Sequence, residues 1–120
     1  CMAISDNLKR GTVELSVLTL LQKGDMYGYE ISQQLFEQSG ELYQIQESSL
    51  YPSLYRLVEK GLISDRTEKV GKRRVRVYYH LETAGEEYLK QLKCEYTSHT
   101  AGVLRILGVK DIEGTINDIN

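Results

Sequence analysis

The chain has 120 residues, 41% of them hydrophobic and 27% charged, which is typical of one soluble globular domain and not of a disordered segment. Fifteen lysines and arginines against 17 acids give a formal net charge of −2, which argues against a generally basic nucleic-acid-binding protein. No apolar stretch is long enough to span a bilayer and no secretory signal opens the sequence. We therefore expect a cytoplasmic protein with no membrane partner.

Catalytic and metal-binding signatures are missing from the sequence. Cys1 and Cys94 have no CxxC spacing, and neither histidine lies at ligand spacing from a cysteine or carboxylate. The nucleophile-elbow, phosphate-loop and dinucleotide-binding glycine motifs are also absent. We expect no metal, no cofactor and no enzymatic activity.

Apolar residues at helical intervals predict a first helix over about residues 8–23 and a second over about residues 28–39. The apolar face of the first helix consists of Val13, Val17, Leu20 and Leu21, and Leu15 and Leu18 widen it. Gly28 lies in the first turn of the second helix, where the missing side chain permits close approach by a neighbouring helix or a phosphate.

A third helix is predicted from Ser48–Ser49 to Lys60. Ser49 suits the N-cap, and Pro52 then falls in the first turn, where its missing N–H costs little. The helix N-terminus favours a phosphate. Tyr51 either packs against the protein or faces outward. The polar positions, which can donate to phosphates or base edges, are Ser48, Ser49, Tyr51, Ser53, Tyr55, Arg56 and Lys60.

The pattern changes to a period of two after the third helix. Residues 63–70 and 73–81 flank Gly71-Lys72, which predicts a β-hairpin. Three helices followed by a hairpin are the arrangement of a winged helix-turn-helix. We therefore expect a mainly α fold with a small β-hairpin, and a winged helix-turn-helix DNA-binding domain over residues 8–81.

A C-terminal helical dimerisation region is expected over residues 82–120. It opens on a capping box from Thr83 to Glu86 and ends, after a break at Gly108, in a short amphipathic helix containing Ile112, Ile116 and Ile119. An uncovered apolar stripe on the long helix usually marks an interface, although the helix could instead fold back on its own core, partly through Leu89. The candidate dimerisation residues are Tyr88, Leu89, Leu92, Tyr96, His99 and Val103.

Positive charge is concentrated at the hairpin. Residues 66–76 hold six of the fifteen cations and one acid, a local charge of +5, so the rest of the chain carries −7. A solvated edge strand could also be charged, but a run of one sign at a glycine turn repels itself without a counter-charge. Contact with DNA phosphates accounts for it better.

Four segments in combination resemble the PadR family of bacterial transcriptional regulators. Their sequences are MYGYEI at 26–31, SLYPSLYRL at 49–57, EKGLI at 59–63 and YYHLETAG at 78–85. In the last segment Glu82 and Thr83 stand where the family pattern has a threonine followed by a variable residue. The resemblance covers about residues 10–100.

The resemblance implies a homodimeric, repressor-like winged helix-turn-helix protein that binds an inverted-repeat operator in double-stranded DNA. The third helix would enter the major groove, the hairpin wing would contact the flanking backbone, and the second helix would begin near phosphates. Together with the charge pattern, this predicts DNA contacts from Tyr27, Tyr29, Ser48, Ser49, Tyr51, Ser53, Tyr55, Arg56, Lys72, Arg73, Arg74 and Arg76.

Two further hypotheses remain open. Some members of the family bind planar or phenolic compounds between their dimer helices, so a small aromatic effector could contact Tyr88 and Tyr96, although their spacing equally suits core packing. The alternative function is a winged-helix module for protein–protein contact, in which the basic wing binds an acidic partner without specific DNA binding.

Overall fold

Three short helices, a small sheet and a long helix follow one another along the chain. This computed structural model describes the backbone of residues 11–119 and the side chains of residues 11–116, so the predicted start of the first helix at Leu8 lies outside the described residues, as does Cys1. In chain order the elements are α1 (Val13–Leu21), β1 (Met26–Tyr27), α2 (Gly28–Gln38), α3 (Glu47–Glu59), β2 (Ile63–Lys69), β3 (Val75–Leu81), α4 (Thr83–Leu107) and α5 (Ile112–Ile119).

The core lies between the first three helices and one face of the sheet. Its fully buried side chains come from all of these elements, among them Leu18, Ile31, Leu54 and Ile63. Burying each such side chain contributes about 1.5–3 kcal/mol. The core therefore fixes how α3 and the hairpin are held relative to each other.

The sheet has the strand order β1-β3-β2, and both pairs are antiparallel. Alternation along β3 divides its two faces: Tyr79 and Leu81 are buried in the core, whereas Arg76 and Tyr78 lie on the opposite face. The predicted hairpin is confirmed, and β1 adds a short third strand through the pairing of Tyr27 with Tyr78.

The start of α3 differs from the prediction. Gln46, in an extended conformation with φ −76° and ψ 149°, is the N-cap, and no side chain caps the helix. Ser49 instead lies in the first turn, where its amide donates to the Gln46 carbonyl at 3.0 Å. The assignments of Ser49 as N-cap and Pro52 to the first turn are therefore wrong; Pro52 lies one turn further into the helix.

The long helix α4 begins at Thr83 itself. The predicted capping box would instead make Thr83 the N-cap and start the helix one residue later. The carbonyl of Glu82 accepts the amide of Glu86 at 3.0 Å, so Thr83 is already helical and is not the cap. The predicted break at Gly108 is confirmed by its φ of 79°, and α5 follows it. The chain divides into two compact units within α4, after Leu89, and the predicted domain ranges 8–81 and 82–120 stay a prediction.

Candidate nucleic-acid interface

The surface of α3 presents most of the predicted polar side chains. Ser48, Ser49, Tyr55 and Arg56 are exposed. Ser53 is only 5% exposed, so its assignment to the outer face is wrong. Its hydroxyl accepts a hydrogen bond from Arg56 Nη2 at 3.0 Å, so Ser53 orients the arginine from beneath.

A carboxylate occupies the first turn of α3. Glu47 is half-buried and accepts a hydrogen bond from the Tyr51 hydroxyl at 3.2 Å. Its negative charge already offsets the partial positive charge of the helix N-terminus. This charge opposes the predicted preference of the helix end for a phosphate, which stays a prediction.

The sequence left open whether Tyr51 packs against the protein or faces outward, and in the structure its side chain does both. It is 44% exposed, yet its ring lies against α2: a Cβ on Gly28 would be 2.7 Å from the Tyr51 hydroxyl oxygen and 2.9 Å from Cζ. The close approach predicted at Gly28 is thus confirmed, with α3 as the neighbouring helix. Partial burial, and then the charge and hydrogen bond of Glu47, raise the pKa of Tyr51.

Gly28→Ala is expected to displace Tyr51 at little cost in stability. The obstructing atoms belong to the free end of a partly exposed side chain, which can rotate away. We expect the free energy of unfolding to fall by less than about 1 kcal/mol and the pKa of Tyr51 to fall towards its ordinary value. Ultraviolet pH titration of the variant, with Tyr51→Phe identifying the signal, measures this; an unchanged Tyr51 pKa would contradict it.

Three tyrosines and two arginines gather on the outer face of the sheet. Tyr27, Tyr29 and Tyr78 form a tyrosine cluster, with ring centroids 6.4 Å apart for Tyr27–Tyr29 and 5.6 Å for Tyr27–Tyr78. The guanidinium of Arg76 lies 4.3 Å from the centroid of Tyr27, and that of Arg66 lies 5.3 Å from Tyr78. Tyr78 was missed as a site residue, although the alternation of β3 placed it on the face of Arg76.

Arg66 is neutralised by two carboxylates. It donates to Glu68 at 2.9 Å and also to Asp25, whose other oxygen lies 2.7 Å from His80 Nδ1. Hydrogen bonds from His80 and Arg66 hold the pKa of Asp25 below its usual value. Arg66 therefore adds little to the positive charge available at the hairpin, and Asp25, distant in sequence, gave no sign of this role.

Asp25→Asn should make the stability of the protein less dependent on acid pH. Because the folded pKa of Asp25 is lowered, its contribution is present above the unfolded pKa of about 3.9 and is lost as pH falls through the folded pKa. For a surface pair we expect about 0.5–1 kcal/mol at neutral pH. Urea unfolding of wild type and variant at a series of pH values should converge in acid; a constant difference would contradict the prediction.

The turn of the hairpin carries cations without counter-ions. The Val70 amide donates to the Arg74 carbonyl at 2.8 Å, and Gly71 adopts the left-handed φ of 88° that closes the turn. Lys72, Arg73 and Arg74, here called the wing tip, are exposed. None of them forms an ion pair with any residue of the described part of the chain.

The predicted dimerisation residues fall into two groups. Leu89 is 2% exposed and belongs to the core of its own unit, so its assignment to an interface is wrong; Tyr88 also packs partly against that core. Leu92 is half-buried, whereas Tyr96 and Val103 are each 39% exposed and His99 is exposed. Exposed apolar residues continue to the end of α4 and into α5 at Ile106, Leu107 and Ile112.

The described residues contain neither a metal-binding cluster nor a membrane-spanning helix. No cluster of three or more histidine, cysteine or acidic side chains there is arranged to hold a metal ion. Over the same residues, no helix combines the length and hydropathy that a membrane span requires.

Comparison with known proteins identifies the family of the chain. Residues 17–91 match the model of the transcriptional regulator PadR-like family, and this range runs from the second half of α1 through α2, α3 and the sheet to the start of α4. The chain belongs to this family. PadR-like proteins are transcriptional regulators and not enzymes, so the resemblance noted in the sequence and the expectation of a non-enzymatic protein are confirmed.

Solved structures of transcriptional regulators share the fold. A transcriptional regulator from Clostridium thermocellum is 37% identical, with a TM-score of 0.73 over 82% of this chain and 95% of its own. Bacillus subtilis PadR in complex with operator DNA is 30% identical, with a TM-score of 0.63 over 67% of this chain and 45% of its own. The predicted winged-helix fold class is therefore confirmed.

The curated negative transcriptional regulator PadR of Bacillus subtilis matches over 77 residues, at 31% identity and 64% of this chain. That match spans only 42% of the length of the regulator. The likeness to the whole PadR protein is thus confined to less than half of that regulator.

Proposed function

We propose that this PadR-like regulator is a sequence-specific DNA-binding protein, repressor-like in action, that binds an inverted repeat as a homodimer. The observation that carries the proposal is the wing tip, whose three exposed cations have no counter-ion among the described residues. A duplex, with its dense line of phosphates, is the partner that such a turn fits best. The similar Bacillus subtilis PadR was solved with operator DNA, which supports the same partner.

Within this proposal α3 reads the major groove. Side chains near the start and middle of a recognition helix reach base edges, and Ser48, Ser49, Tyr55 and Arg56 are exposed there. Arg56 is the strongest candidate reader because an arginine can donate two hydrogen bonds to a guanine. Ser53, being buried, acts on the DNA only through Arg56.

The tyrosine cluster and the wing would contact the backbone on either side. Tyr29 is 48% exposed at the start of α2, and Arg76 lies over the neighbouring Tyr27. Tyrosine hydroxyls and arginines are donors that suit phosphate oxygens. These contacts would set the register of α3 without carrying sequence information.

Exposed apolar residues of α4 support the homodimer. Tyr96, Val103, Ile106 and Leu107 are between 39% and 86% exposed. Contiguous exposed apolar surface of this kind marks an interface, and a second copy related by twofold symmetry would cover it. Two α3 helices about 34 Å apart would then match successive turns of B-DNA. A small aromatic effector at Tyr88 and Tyr96 stays a prediction within this dimer.

Selection of bound duplexes from a random DNA pool tests the proposal. We expect an inverted repeat whose half-sites are about one helical turn apart, bound several orders of magnitude more tightly than random duplex. Arg56→Ala should alter the preferred bases, whereas Lys93→Ala, an exposed cation on α4, should not. No duplex binding at low salt by an intact dimer would overturn the proposal and favour a protein partner for the wing.

A further inference from the structure

An open cavity of about 690 Å³ lies beside the C-terminal half of α2 and the loop that leads to α3. Its apolar lining includes Phe36, the only phenylalanine of the chain, and Ile45, both half-buried. A volume of this size is in the range of small-molecule sites. The cavity is separate from the wing and from the α3 residues to which the DNA contacts are assigned.

The charge of the cavity has one sign. Glu37 and Glu41 are its ionisable lining residues, both exposed, and no lysine or arginine is among the residues that line it. The C-terminal end of α2 adds the partial negative charge of its carbonyls. The amides of Gln33 and Gln44 complete the polar rim, and each can accept or donate.

We propose that this cavity binds a small organic cation with an apolar body, of the arylalkylamine type. The ammonium group would donate to the carboxylates of Glu37 and Glu41, and the hydrocarbon part would cover Phe36 and Ile45. A neutral ligand would gain only the apolar contact, and an anionic ligand would be repelled. The charge of the cavity thus selects the class of ligand.

One residue that lines the cavity contacts the proposed DNA surface. Gln33 lines the cavity, and its Nε2 donates to the hydroxyl of Tyr29 at 2.9 Å. Tyr29 stacks against Tyr27, with Arg76 over the Tyr27 ring. An ammonium group that binds Gln33 Oε1 and rotates the amide into the cavity would break the hydrogen bond from Nε2 to Tyr29, so amine binding weakens DNA binding. This regulatory part rests on the proposed function; binding of the amine does not.

Titration calorimetry of the full chain with phenethylamine tests the site itself. We expect phenethylamine to bind about tenfold more tightly than its uncharged analogue phenethyl alcohol, and the anion hydrocinnamate not to bind. Glu37→Gln with Glu41→Gln should weaken amine binding about tenfold. The charge-matched control, Glu86→Gln with Glu87→Gln on exposed positions of α4, should leave it unchanged. Equal binding of the three compounds, no binding, or an unaffected Glu37/Glu41 variant would each overturn the proposal.

Fluorescence anisotropy with the selected duplex tests the link to DNA. Saturating phenethylamine should weaken duplex binding by at least about fivefold, and saturating duplex should weaken amine binding by the same factor. Tyr29→Phe, which removes the acceptor of the Gln33 amide, should reduce this ratio and keep amine binding. Amine binding with an unaltered duplex affinity would overturn the link. If no duplex binds at all, the proposed function fails while the calorimetry still decides the site.

Discussion

Replacing Arg73 and Arg74 by alanine is expected to weaken binding to every duplex by the same factor and to reduce the salt dependence of binding. Both side chains are exposed at the wing tip, and neither is held by a carboxylate of the described residues. Each phosphate that the protein no longer neutralises takes close to one unit from the slope of log K against log salt, so the slope should fall by about two. Anisotropy titrations at several salt concentrations measure it.

The control for this experiment is Lys90→Ala with Lys93→Ala, which removes two exposed cations from α4. Its salt slope should equal that of the wild type, because the change in net charge is the same but the wing is intact. Arg66→Ala provides a second comparison, since Arg66 is already paired with Asp25 and Glu68 and should alter the slope little. A slope unchanged by loss of Arg73 and Arg74 would remove the wing from the interface.

Gly85→Ala is expected to produce a large loss of stability. Gly85 is buried in the first turn of α4, where a Cβ would collide with the backbone carbonyl oxygen of Leu62 and lie 2.7 Å from Leu81 Cδ1. That carbonyl cannot move freely, because it also accepts the Glu82 amide at 3.0 Å. We expect the free energy of unfolding to fall by about 3 kcal/mol, measured by urea denaturation at fixed protein concentration.

Gly102→Ala, in the same helix, is the matched control. Apart from its chain neighbours and the nearby backbone of α4 itself, a Cβ there meets no atom of the described chain within 4 Å. The only expected effect is therefore the higher helix propensity of alanine, which should raise the free energy of unfolding by up to about 1 kcal/mol. If Gly85→Ala were as harmless as Gly102→Ala, the packing of α4 against the chain segment before β2 would be wrong.

The arrangement of helices and hairpin could be predicted from periodicity because each element is encoded locally. Burial of Ser53 was missed because its side chain is polar, although it lies three residues after Leu50 and four before Leu57, on the buried face of α3. Its contact with Arg56 shows that the hydroxyl is satisfied there. The start of α3 was misplaced for a related reason. Ser49 has the residue type of a cap, but the extended backbone of Gln46 provides the actual one.

Some properties of the candidate site depend on contacts between segments that are far apart in the sequence, so the sequence alone could not indicate them. The charge of Arg66 was counted towards the wing, yet Asp25, 41 residues earlier, neutralises it. Leu89 lies in the apolar pattern of α4 and is consistent with either an interface or a core; its packing in the core decides between them. Tyr78, by contrast, could have been identified from the sequence, because strand alternation alone places it on the same face of the sheet as Arg76.

Separation of charge along the molecule has a kinetic consequence. The wing tip is positive, while the chain outside residues 66–76 carries a formal charge of −7, so positive charge is concentrated in one segment of the sequence despite the small net charge. Under the proposed function, attraction between the wing tip and the duplex phosphates favours encounters in which the hairpin meets the DNA first, which raises the association rate. The association rate constant should therefore fall with added salt.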